Sequence, residues 1–398
     1  MHEVWVTGIG ILTAIGSGQK CHLSALKESK TGLSNHTIFH QNGPVKYVCG
    51  LIPSEYIDQN LDKTAHNRAD LILEQTLKQV LQYMDQSTGK FNADLIIGTT
   101  AGNMHGGTRY YKEYRGGNFA HKNLLHHFLP CAPVEFIADK YCITGKTLTI
   151  ASACGSASAA IGQAFHRIRS GRSNCVIAGG FEALSPFMVA GFNSLQLVSK
   201  KECKPFDINR NGLNPGEGSA LLLLESEESA RKRNVRPIAK VKGFGDAVDG
   251  YHFTRAHPEG KGLISAIKKA MNSAWIEKDK IDTIHSHGTA TLINDSSEYS
   301  ACSRIFRQYL SEIPVCSTKS ITGHTFGASG ALNAVFSIIS IKNNLVPATL
   351  FHETLDPEFS GLSILKKPEQ KYSIQNILSL SLGFGGEAYA LIISGVEN

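Results

Sequence analysis

The feature that most constrains the fold is a regular alternation of short apolar runs with helical stretches along the 398 residues. Between the apolar runs lie amphipathic stretches such as residues 69–84, where Leu73, Leu77 and Leu81 fall on one stripe. Apolar runs bounded by Gly, Ser or Asp occur at residues 4–6, 95–97, 148–150, 176–178 and 221–224. The alternation predicts an α/β protein with buried, mostly parallel sheets.

The same alternation occurs a second time after a polar stretch at residues 225–236, which we interpret as a helix end and crossover. The second series of apolar runs lies at residues 238–241, 281–285, 315–318, 377–382 and 388–393. Residues 148–165 and residues 315–338 both run from a strand through small residues into a helix with one apolar face. A weak internal duplication explains this best. It predicts two similar halves, residues 1–234 and 235–398, that meet across a shared site.

The amino-acid composition and the net charge limit the classes of function that the chain can have. Charged residues make up 19% of the chain and there are 38 glycines, so fewer charges than the typical ~25% suggest surface buried in wide sheets or a subunit interface. The net charge of +6 comes without a Lys/Arg-rich run, which argues against a nucleic-acid partner. A local basic patch for an acidic partner remains compatible with this balance.

The spacing of the cysteines and the first residues of the chain indicate the cellular compartment. The 9 cysteines are scattered and never spaced CxxC, which argues against a disulfide framework or a zinc ribbon and favours a reducing compartment. The first residues lack the basic region of a signal peptide, and no apolar run approaches the ~18 residues of a membrane span. We expect a soluble, cytoplasmic protein without a membrane span.

Cys154 differs from the other cysteines in its context. It follows a predicted buried strand and opens a helix within the small-residue sequence ASACGSA of residues 151–157. The positive end of a helix favours thiolate over thiol and offers backbone N–H groups to an oxyanion. Cys154 is therefore a candidate nucleophile, and the competing interpretation is an inert buried cysteine in a tight turn.

Two histidines lie in small-residue turns after strands, as a partner of a thiol nucleophile would. They are His287 in HSHGTAT and His324 in GHTFG. His285 and His287 would share a strand face, which also suits a metal, but a third ligand at characteristic spacing is missing. Lys319 follows the strand at residues 315–318. Taken singly, each of these residues fits a structural role equally well.

Glycine-rich pieces offer a further alternative. Gly8-Ile9-Gly10 after the first strand hints at a dinucleotide fingerprint, but its third glycine and its acidic residue are misplaced. The sequence GFGG at residues 383–386 joins two apolar strands and predicts a hairpin turn with positive φ angles. We expect neither a cofactor nor a metal.

Together these pieces resemble the β-ketoacyl-acyl carrier protein synthases of the chain-elongating (type I/II) branch. The resemblance spans nearly the whole chain, with order and spacing that fit. It is carried by SACGS at 152–156, HGTATLINDSSE at 287–298, KSITGHTFGASG at 319–330 and GFGG at 383–386, with VTGIG at 6–10 and KPFDINRNGLNPGEGSA at 204–220. It implies a thiolase fold, with duplicated βαβ-rich halves in a five-layered αβαβα sandwich.

The resemblance also implies a reaction and roles for five residues. The reaction is a decarboxylative Claisen condensation of an acyl chain with malonyl-acyl carrier protein. Cys154 would carry the acyl group as a thioester. His287 and His324 would stabilise the enolate formed on decarboxylation, and Lys319 would support His324 electrostatically. Backbone N–H groups of Cys154 and Phe384 would form the oxyanion hole, with Phe384 as the gating phenylalanine.

Several positions depart from the family pattern. Glu387-Ala388 stands where Thr-Asn usually follows GFGG, Asn333 replaces an acidic residue, and Asn294 replaces a glycine. Ala101 falls where a bulkier residue often narrows the acyl pocket, which leaves room for a longer or stiffer chain. These changes suggest a specialised type II polyketide or aryl polyene pathway rather than housekeeping fatty-acid synthesis.

The resemblance implies an acidic acyl carrier protein as partner and a dimer with joined central sheets. The dimer would be a homodimer or a heterodimer with a second ketosynthase-like chain. In a heterodimer, this chain has one alternative function, that of a non-catalytic or partner-dependent chain-length subunit. Subunits of that kind usually lack the cysteine. Three basic residues fall near the family's docking positions: Lys63, Arg68 and Lys204. Another local cluster of basic residues consists of Arg167, Arg169 and Arg172.

Overall fold

The computed structural model describes residues 2–396 except 41–42, 58–66, 86, 88, 120–124, 127 and 372. Its first half contains β1 (Val4–Thr13), β2 (Gly16–Ser17), α1 (Gly18–Lys27), β3 (Ser34–His40), β4 (Gly43–Cys49), α2 (Arg68–Leu81), β5 (Asp94–Gly98), α3 (Met104–Arg115), α4 (Ala132–Lys140), β6 (Thr147–Ile150), α5 (Ser156–Arg169), β7 (Cys175–Glu182), α6 (Pro186–Ser194), β8 (Gly218–Ser226) and α7 (Glu227–Lys232). Its second half contains β9 (Ala239–Val248), α8 (Lys261–Ala274), β10 (Thr283–His285), α9 (Leu292–Phe306), β11 (Pro314–Cys316), α10 (Lys319–Thr322), α11 (Ser329–Asn343), β12 (Leu345–Val346), β13 (Ser363–Ile364), β14 (Glu369–Gln370), β15 (Asn376–Gly383) and β16 (Glu387–Ser394).

The two halves build sheets of the same topology. The order β1-β8-β7-β5-β6 in the first half corresponds to β9-β16-β15-β10-β11 in the second. In each series the first two pairings are antiparallel and the last two are parallel. The series join through β1 and β9, which pair over two residues, Trp5 with Lys240 and Val6 with Ala239. The duplicated halves are therefore present, but the expectation of mostly parallel sheets was wrong because each half adds two antiparallel strands.

Helices cover both faces of each sheet, which gives five layers. The central layer is α5 and α11, whose apolar side chains pack in one cluster with strands of both halves. The outer helices α2 and α4 pack against the first sheet, and α8 and α9 pack against the second. In β8, Leu222 and Leu224 face the central layer while Leu221 and Leu223 face α2, as alternation along a doubly covered strand requires. The fold is the αβαβα sandwich of the thiolase class.

Burial on all sides distinguishes α11 from an amphipathic helix. Residues 329–341 are all buried, because α11 lies between two sheets and beside α5. The loops at the carboxyl ends of β6 and β11 consequently face each other near this central layer. Within the described residues, none of the helices combines the length and apolarity needed to cross a membrane.

Candidate active site

Cys154 lies in a tight turn between β6 and α5. Ala153, directly before it, has a φ of +43°, a conformation that non-glycine residues adopt rarely and that marks a constrained turn. The hydroxyl of Ser156 accepts a bond from the Ser152 backbone N–H at 2.8 Å and donates to the Ala153 carbonyl at 2.7 Å. These local bonds fix the turn, and Cys154 is 4% exposed.

The thiol of Cys154 is held in its protonated form in the resting chain. Burial raises its pKa to about 12, and the carboxylates of Glu182 and Glu387 act in the same direction. Lys319 and the backbone N–H of Cys154 itself lower the pKa, but burial dominates. The sequence-based expectation that the helix end would favour the thiolate therefore does not describe the resting state, in which desolvation outweighs the helix.

His287 lies in the loop between β10 and α9. The carboxylate of Glu298, the seventh residue of α9, accepts bonds from the backbone N–H groups of His287 at 2.6 Å and of Gly288 at 2.8 Å. Burial raises the pKa of Glu298 to about 7, and the two backbone bonds oppose that shift. Glu298 thus orients the loop that presents the His287 ring.

His324 lies between α10 and α11 and is held by its main chain. Its N–H donates to the Asn214 carbonyl at 2.7 Å, and its carbonyl accepts from the Gly216 N–H at 2.9 Å. Its ring stacks on Phe326 with centroids 5.1 Å apart and lies nearly perpendicular to the His287 ring at 5.3 Å. The structure thus brings together two histidines that lie 37 positions apart in the sequence.

Both imidazoles are neutral. Burial lowers the pKa of His287 and of His324 well below the ordinary value, and the nearby charge of Lys319 lowers both further. The Nδ1 atoms of both rings are buried and have no hydrogen-bond partner among the described residues. Two uncharged rings with free nitrogen atoms are suited to exchanging hydrogen bonds with a bound molecule.

Lys319 begins α10 and is buried, with 3% of the residue exposed. Its Nζ has no hydrogen-bond partner among the described residues. Burial lowers its pKa to about 8, while the carboxylate of Glu298 and the thiol of Cys154 raise it. The ammonium therefore acts on the site through its charge rather than through a hydrogen bond.

Phe384 occupies the turn of the β15–β16 hairpin, as the GFGG sequence predicted. Gly385 and Gly386 have φ angles of +90° and +80°, which explains the need for glycine there. The Phe384 ring stacks on Phe192 of α6 with centroids 5.4 Å apart, and the Gly385 N–H donates to the Phe253 carbonyl at 2.7 Å. The hairpin therefore contacts elements of both halves.

One cavity of about 570 Å³ connects these groups. Its lining includes Cys154, His287, His324 and Phe384, with Phe192 opposite the hairpin. The rest of the cavity is lined by Leu195, Gln196, Leu197, Arg210, Asn211, Gly212, Leu213, Thr254, Arg255, Ala256, Thr289, Thr291, Leu292, Ile293, Asn294, Leu382 and Gly383. Lys319 lies outside this lining.

The sequence analysis missed a buried acid that organises the site. Glu182, at the end of β7, accepts bonds from the backbone N–H groups of Thr100 at 2.7 Å, Ala101 at 3.1 Å and Gly327 at 3.0 Å. Burial raises its pKa to about 7. It joins the loop after β5, which includes Ala101, to the turn after His324. The sequence signal that could have identified Glu182 is an acidic residue at the end of an apolar strand.

Asn333 shows how this chain accommodates a departure from the family pattern. Its side-chain amide donates to the carbonyls of Ser286 at 3.2 Å and Leu380 at 3.3 Å, so it connects the loop after β10 to β15. The negative charge that acts most on Lys319 comes from Glu298 instead. The acidic residue that the family usually has at position 333 is thus absent, and Glu298 is the carboxylate that raises the Lys319 pKa most.

The metal and dinucleotide alternatives find little support in the geometry. Both ring nitrogens of His285 contact hydroxyls, Nε2 that of Thr318 at 3.1 Å and Nδ1 that of Ser337 at 3.3 Å. Among the described residues, no group of three or more His, Cys, Asp or Glu side chains is placed to hold a metal ion. Gly8 and Gly10 lie inside β1 rather than in a turn before a helix, where a dinucleotide would need them.

Comparisons with known proteins agree with this arrangement. The family model described as beta-ketoacyl synthase, N-terminal domain, matches residues 1–230, and the C-terminal domain of that family matches residues 238–353. A 3-oxoacyl-[acyl-carrier-protein] synthase 2 from Staphylococcus aureus (strain COL) is 30% identical, with 99% of each chain covered. The Coxiella burnetii synthase of the same name is 29% identical over 99% of each chain.

Two solved structures are similar over nearly the full length. The ishigamide ketosynthase/chain length factor has a TM-score of 0.91 and 25% identity, with 100% of each chain covered. A ketosynthase in complex with its chain length factor from Xenorhabdus doucetiae has a TM-score of 0.87 and 26% identity, covering 99% of this chain and 98% of that one. Fold, site and both domain matches lead to the same conclusion: the chain belongs to the β-ketoacyl synthase family and is a β-ketoacyl-acyl carrier protein synthase of the thiolase fold.

Proposed function

We propose that this chain carries out the family's decarboxylative condensation with Cys154 as the acylated nucleophile. The observation that carries the proposal is the common pocket of Cys154, His287, His324 and Phe384, in which both imidazoles are neutral. The product would be a β-ketoacyl chain on an acyl carrier protein, two carbons longer than the starting chain.

In the first half-reaction, the sulfur of Cys154 attacks the thioester carbonyl of the acyl donor and the donor's thiol leaves. Because burial keeps the Cys154 thiol protonated, its proton has to leave as the carbon–sulfur bond forms. The leaving thiolate takes up a proton, so the transfer is neutral overall. The positive charge of Lys319 favours the transient thiolate.

In the second half-reaction, malonyl thioester loses carbon dioxide and the electron pair of the broken bond forms an enolate. We assign His287 and His324 as N–H donors to the enolate oxygen. A neutral donor in a dry pocket stabilises such a charge without a metal, and removing one typically costs on the order of 10²–10³ in rate. The enolate carbon then attacks the acyl group on Cys154 and displaces the thiolate.

Phe384 has two parts in this proposal. Its backbone N–H and that of Cys154 form the oxyanion hole for the tetrahedral intermediates. Its ring, stacked on Phe192 in the pocket wall, gates the acyl chain. Ala101 packs beside the apolar cluster that contains Cys154, and its small side chain supports the proposal of a longer or stiffer substrate.

An acidic acyl carrier protein is the proposed partner, and the names of the curated relatives support it. Several candidate docking cations are already paired within the chain. Arg68 donates to Glu217 at 2.9 Å, and Lys204 lies 2.8 Å from Glu353. Lys63 lies outside the described residues. Arg255 is exposed and lines the pocket, so we place the carrier's approach beside it.

The remaining cluster candidates lie away from the pocket lining. Arg167 lies 2.7 Å from Asp94, and Arg169 donates to the Ser273 carbonyl at 2.8 Å. Arg172 is exposed. Pairing within the chain leaves Arg167 and Arg169 less available to a carrier protein than Arg255.

We also propose a specialised type II pathway, polyketide or polyene, and a dimeric assembly. The similar ishigamide and Xenorhabdus doucetiae structures, both named with a chain length factor, support a heterodimer with a second ketosynthase-like chain. The end strand β6 has an exposed Leu148, which suits pairing with another sheet. The two structures named with a chain length factor also support the alternative function, a non-catalytic or partner-dependent chain-length subunit. Such a subunit would not become acylated when it is purified alone.

Two further expectations remain proposals. The division into halves at residues 234 and 235 is supported by family matches that end at 230 and begin at 238. A cytoplasmic location is supported by the nine cysteines, all of them free thiols in the structure.

Intact mass spectrometry tests the nucleophile directly. The purified chain is incubated with octanoyl-N-acetylcysteamine thioester, and we expect one octanoyl adduct that is absent from the Cys154→Ala variant. The Cys142→Ala variant, which removes an exposed thiol, should retain the adduct. An adduct that survives Cys154→Ala would overturn the assignment.

A further inference from the structure

Glu387 places a carboxylate beside the turn that carries Cys154. It is the first residue of β16, directly after the GFGG hairpin, where the family usually has threonine. The Ser152 hydroxyl donates to Glu387 Oε1 at 2.5 Å, and these residues lie 235 positions apart in the sequence. This hydrogen bond therefore connects the base of the Phe384 hairpin in the second half to the nucleophile turn of the first.

Tyr389 strengthens this connection. It lies two residues along β16 and therefore on the same face as Glu387, and its hydroxyl oxygen is 3.1 Å from the Ser152 Oγ. Its ring covers Gly155, where an added Cβ would come within 2.1 Å of the ring. Burial raises the pKa of Tyr389 to about 12, so the phenol is neutral and able to donate.

The second carboxylate oxygen of Glu387 is left without a partner. Oε2 is buried and has no hydrogen-bond partner among the described residues. A Cβ built on Gly383 would lie 3.3 Å from this oxygen and 3.3 Å from the Gly155 backbone nitrogen. The carboxylate therefore fills the gap between the base of the hairpin and the start of α5. A buried unpaired acceptor is unfavourable, so packing alone does not explain a carboxylate there.

The charge of Glu387 also reaches the nucleophile. Besides burial and the backbone N–H of Cys154, the charged groups that act on the Cys154 thiol are Lys319, which lowers its pKa, and Glu182 and Glu387, which raise it. His287, His324 and Tyr389 are neutral neighbours. Glu182 has the larger effect of the two carboxylates, and three backbone N–H groups donate to it. Glu387 accepts from the Ser152 hydroxyl at Oε1, and its Oε2 has no hydrogen-bond partner among the described residues.

We infer that Glu387 is a positioning residue that fastens the Phe384 hairpin to the Cys154 turn through Ser152 and restrains the reactivity of the resting thiol. This inference rests on the proposed nucleophilic role of Cys154. Glu387 acts through two separable properties. Its oxygen holds the Ser152 hydroxyl, and its negative charge disfavours the thiolate.

Three variants separate the two properties. Glu387→Gln keeps an oxygen that can accept from Ser152 and removes the charge. Ser152→Ala removes the bond and keeps the charge. Glu387→Thr, the usual family residue, removes both. Glu228→Gln is the matched control, because Glu228 forms an exposed ion pair with Lys232 on α7.

Two measurements are made on each variant. The first is the rate of Cys154 alkylation by iodoacetamide between pH 6.5 and 9.5, with the modified peptide identified by mass. The second is the rate of acylation by octanoyl-N-acetylcysteamine thioester. We expect Glu387→Gln and Glu387→Thr to alkylate about tenfold faster at pH 7.5, because losing a nearby negative charge lowers the thiol pKa.

The acylation rates test the tether. We expect Ser152→Ala to acylate about tenfold more slowly than the unchanged chain, because the hairpin that carries the Phe384 N–H is no longer held. Glu387→Gln, which keeps the bond and loses the charge, should acylate at least as fast as the unchanged chain, and Glu387→Thr should acylate about tenfold more slowly than Glu387→Gln. The Ser152→Ala/Glu387→Thr double variant should acylate no more slowly than Ser152→Ala, since both changes break one connection.

Alkylation profiles that stay unchanged in Glu387→Gln and Glu387→Thr, or acylation losses that multiply in the double variant, would overturn the inference. Glu387→Gln is nearly isosteric, so it remains informative if Ser152→Ala does not fold. If the unchanged chain forms no adduct at Cys154, the proposed function fails instead, and the alkylation profiles distinguish that case.

Discussion

The two halves differ in how each connects a strand to a central helix. Each leads from a parallel strand into a central helix, β6 into α5 and β11 into α11. The first connection, residues 151–155, is a short turn of small residues with Ala153 at positive φ. The second, residues 317–328, contains the one-turn helix α10 and a 3-10 turn. The short turn presents the Cys154 side chain to the cavity. The longer connection contains His324, which lines the cavity, and Lys319, which does not.

The difference has an electrostatic consequence. In the first half, burial keeps the Cys154 thiol protonated and Glu182 adds to that effect. In the second half, burial and Lys319 keep His287 and His324 neutral. One half therefore holds a protonated thiol, the proposed nucleophile, and the other holds two neutral imidazoles, the proposed hydrogen-bond donors. The two halves share a topology, and the different lengths of these connections accompany their different chemical groups.

The largest expected effect tests whether the halves act separately. Cys154→Ala should reduce condensation on the order of 10⁴-fold or more, because removing a covalent nucleophile eliminates the acyl intermediate. Malonyl thioester decarboxylation, which depends on the second half, should persist. Both are measured on one sample, as product by mass spectrometry and as released carbon dioxide. Loss of decarboxylation together with condensation would contradict the separation.

The reverse experiment removes the donors. His287→Ala and His324→Ala should each lower condensation by about 10²–10³-fold, because each loses one donor to the enolate. The octanoyl adduct on Cys154 should still form within a few-fold of the normal rate. His2→Ala, at an exposed histidine, serves as the control. If adduct formation falls as steeply as condensation, the histidines act in acylation too and the division of labour is wrong.

Lys319 sharpens the electrostatic part of the comparison. Its ammonium lowers the Cys154 pKa, so Lys319→Met should raise that pKa and slow alkylation about tenfold, opposite in sign to Glu387→Gln. Because the Lys319 pKa is about 8, the charge is present below pH 8 and is lost above it. The difference between variant and unchanged chain should therefore be largest below pH 8 and shrink above it. Lys268→Met, at an exposed lysine of α8, is the control, and a difference that does not depend on pH would contradict this account.

The smallest effect concerns the packing of the short turn. Gly155→Ala should destabilise the fold by roughly 1–3 kcal/mol, because its Cβ would meet the Tyr389 ring. Thermal denaturation measures the change. Gly191→Ala is the control, since an added Cβ on that α6 glycine meets open space. The Gly155→Ala/Tyr389→Ala double variant should be no less stable than Tyr389→Ala, and an additive loss would show that the contact is not the cause.

Much of this protein could be predicted from its sequence because the signals are local. Periodicity located the strands at residues 95–97, 148–150 and 377–382, and small residues after strands marked the turns of Cys154 and His324. The repeated strand–turn–helix pattern indicated duplicated halves. The order of antiparallel and parallel strands could not be inferred, because an apolar run buried on both faces gives no information on the direction of its neighbours.

What the sequence determined by itself is the set of chemical groups and the local turns that present them: a thiol, two imidazoles, an ammonium and a glycine-rich hairpin. The tertiary structure decided the protonation states, since desolvation depends on what packs around a group and outweighs the helix end at Cys154. It also decided the partners of the charges, bringing Glu298 near Lys319 and Glu387 to Ser152. Those pairings join residues distant in the chain, so only the folded backbone could determine them.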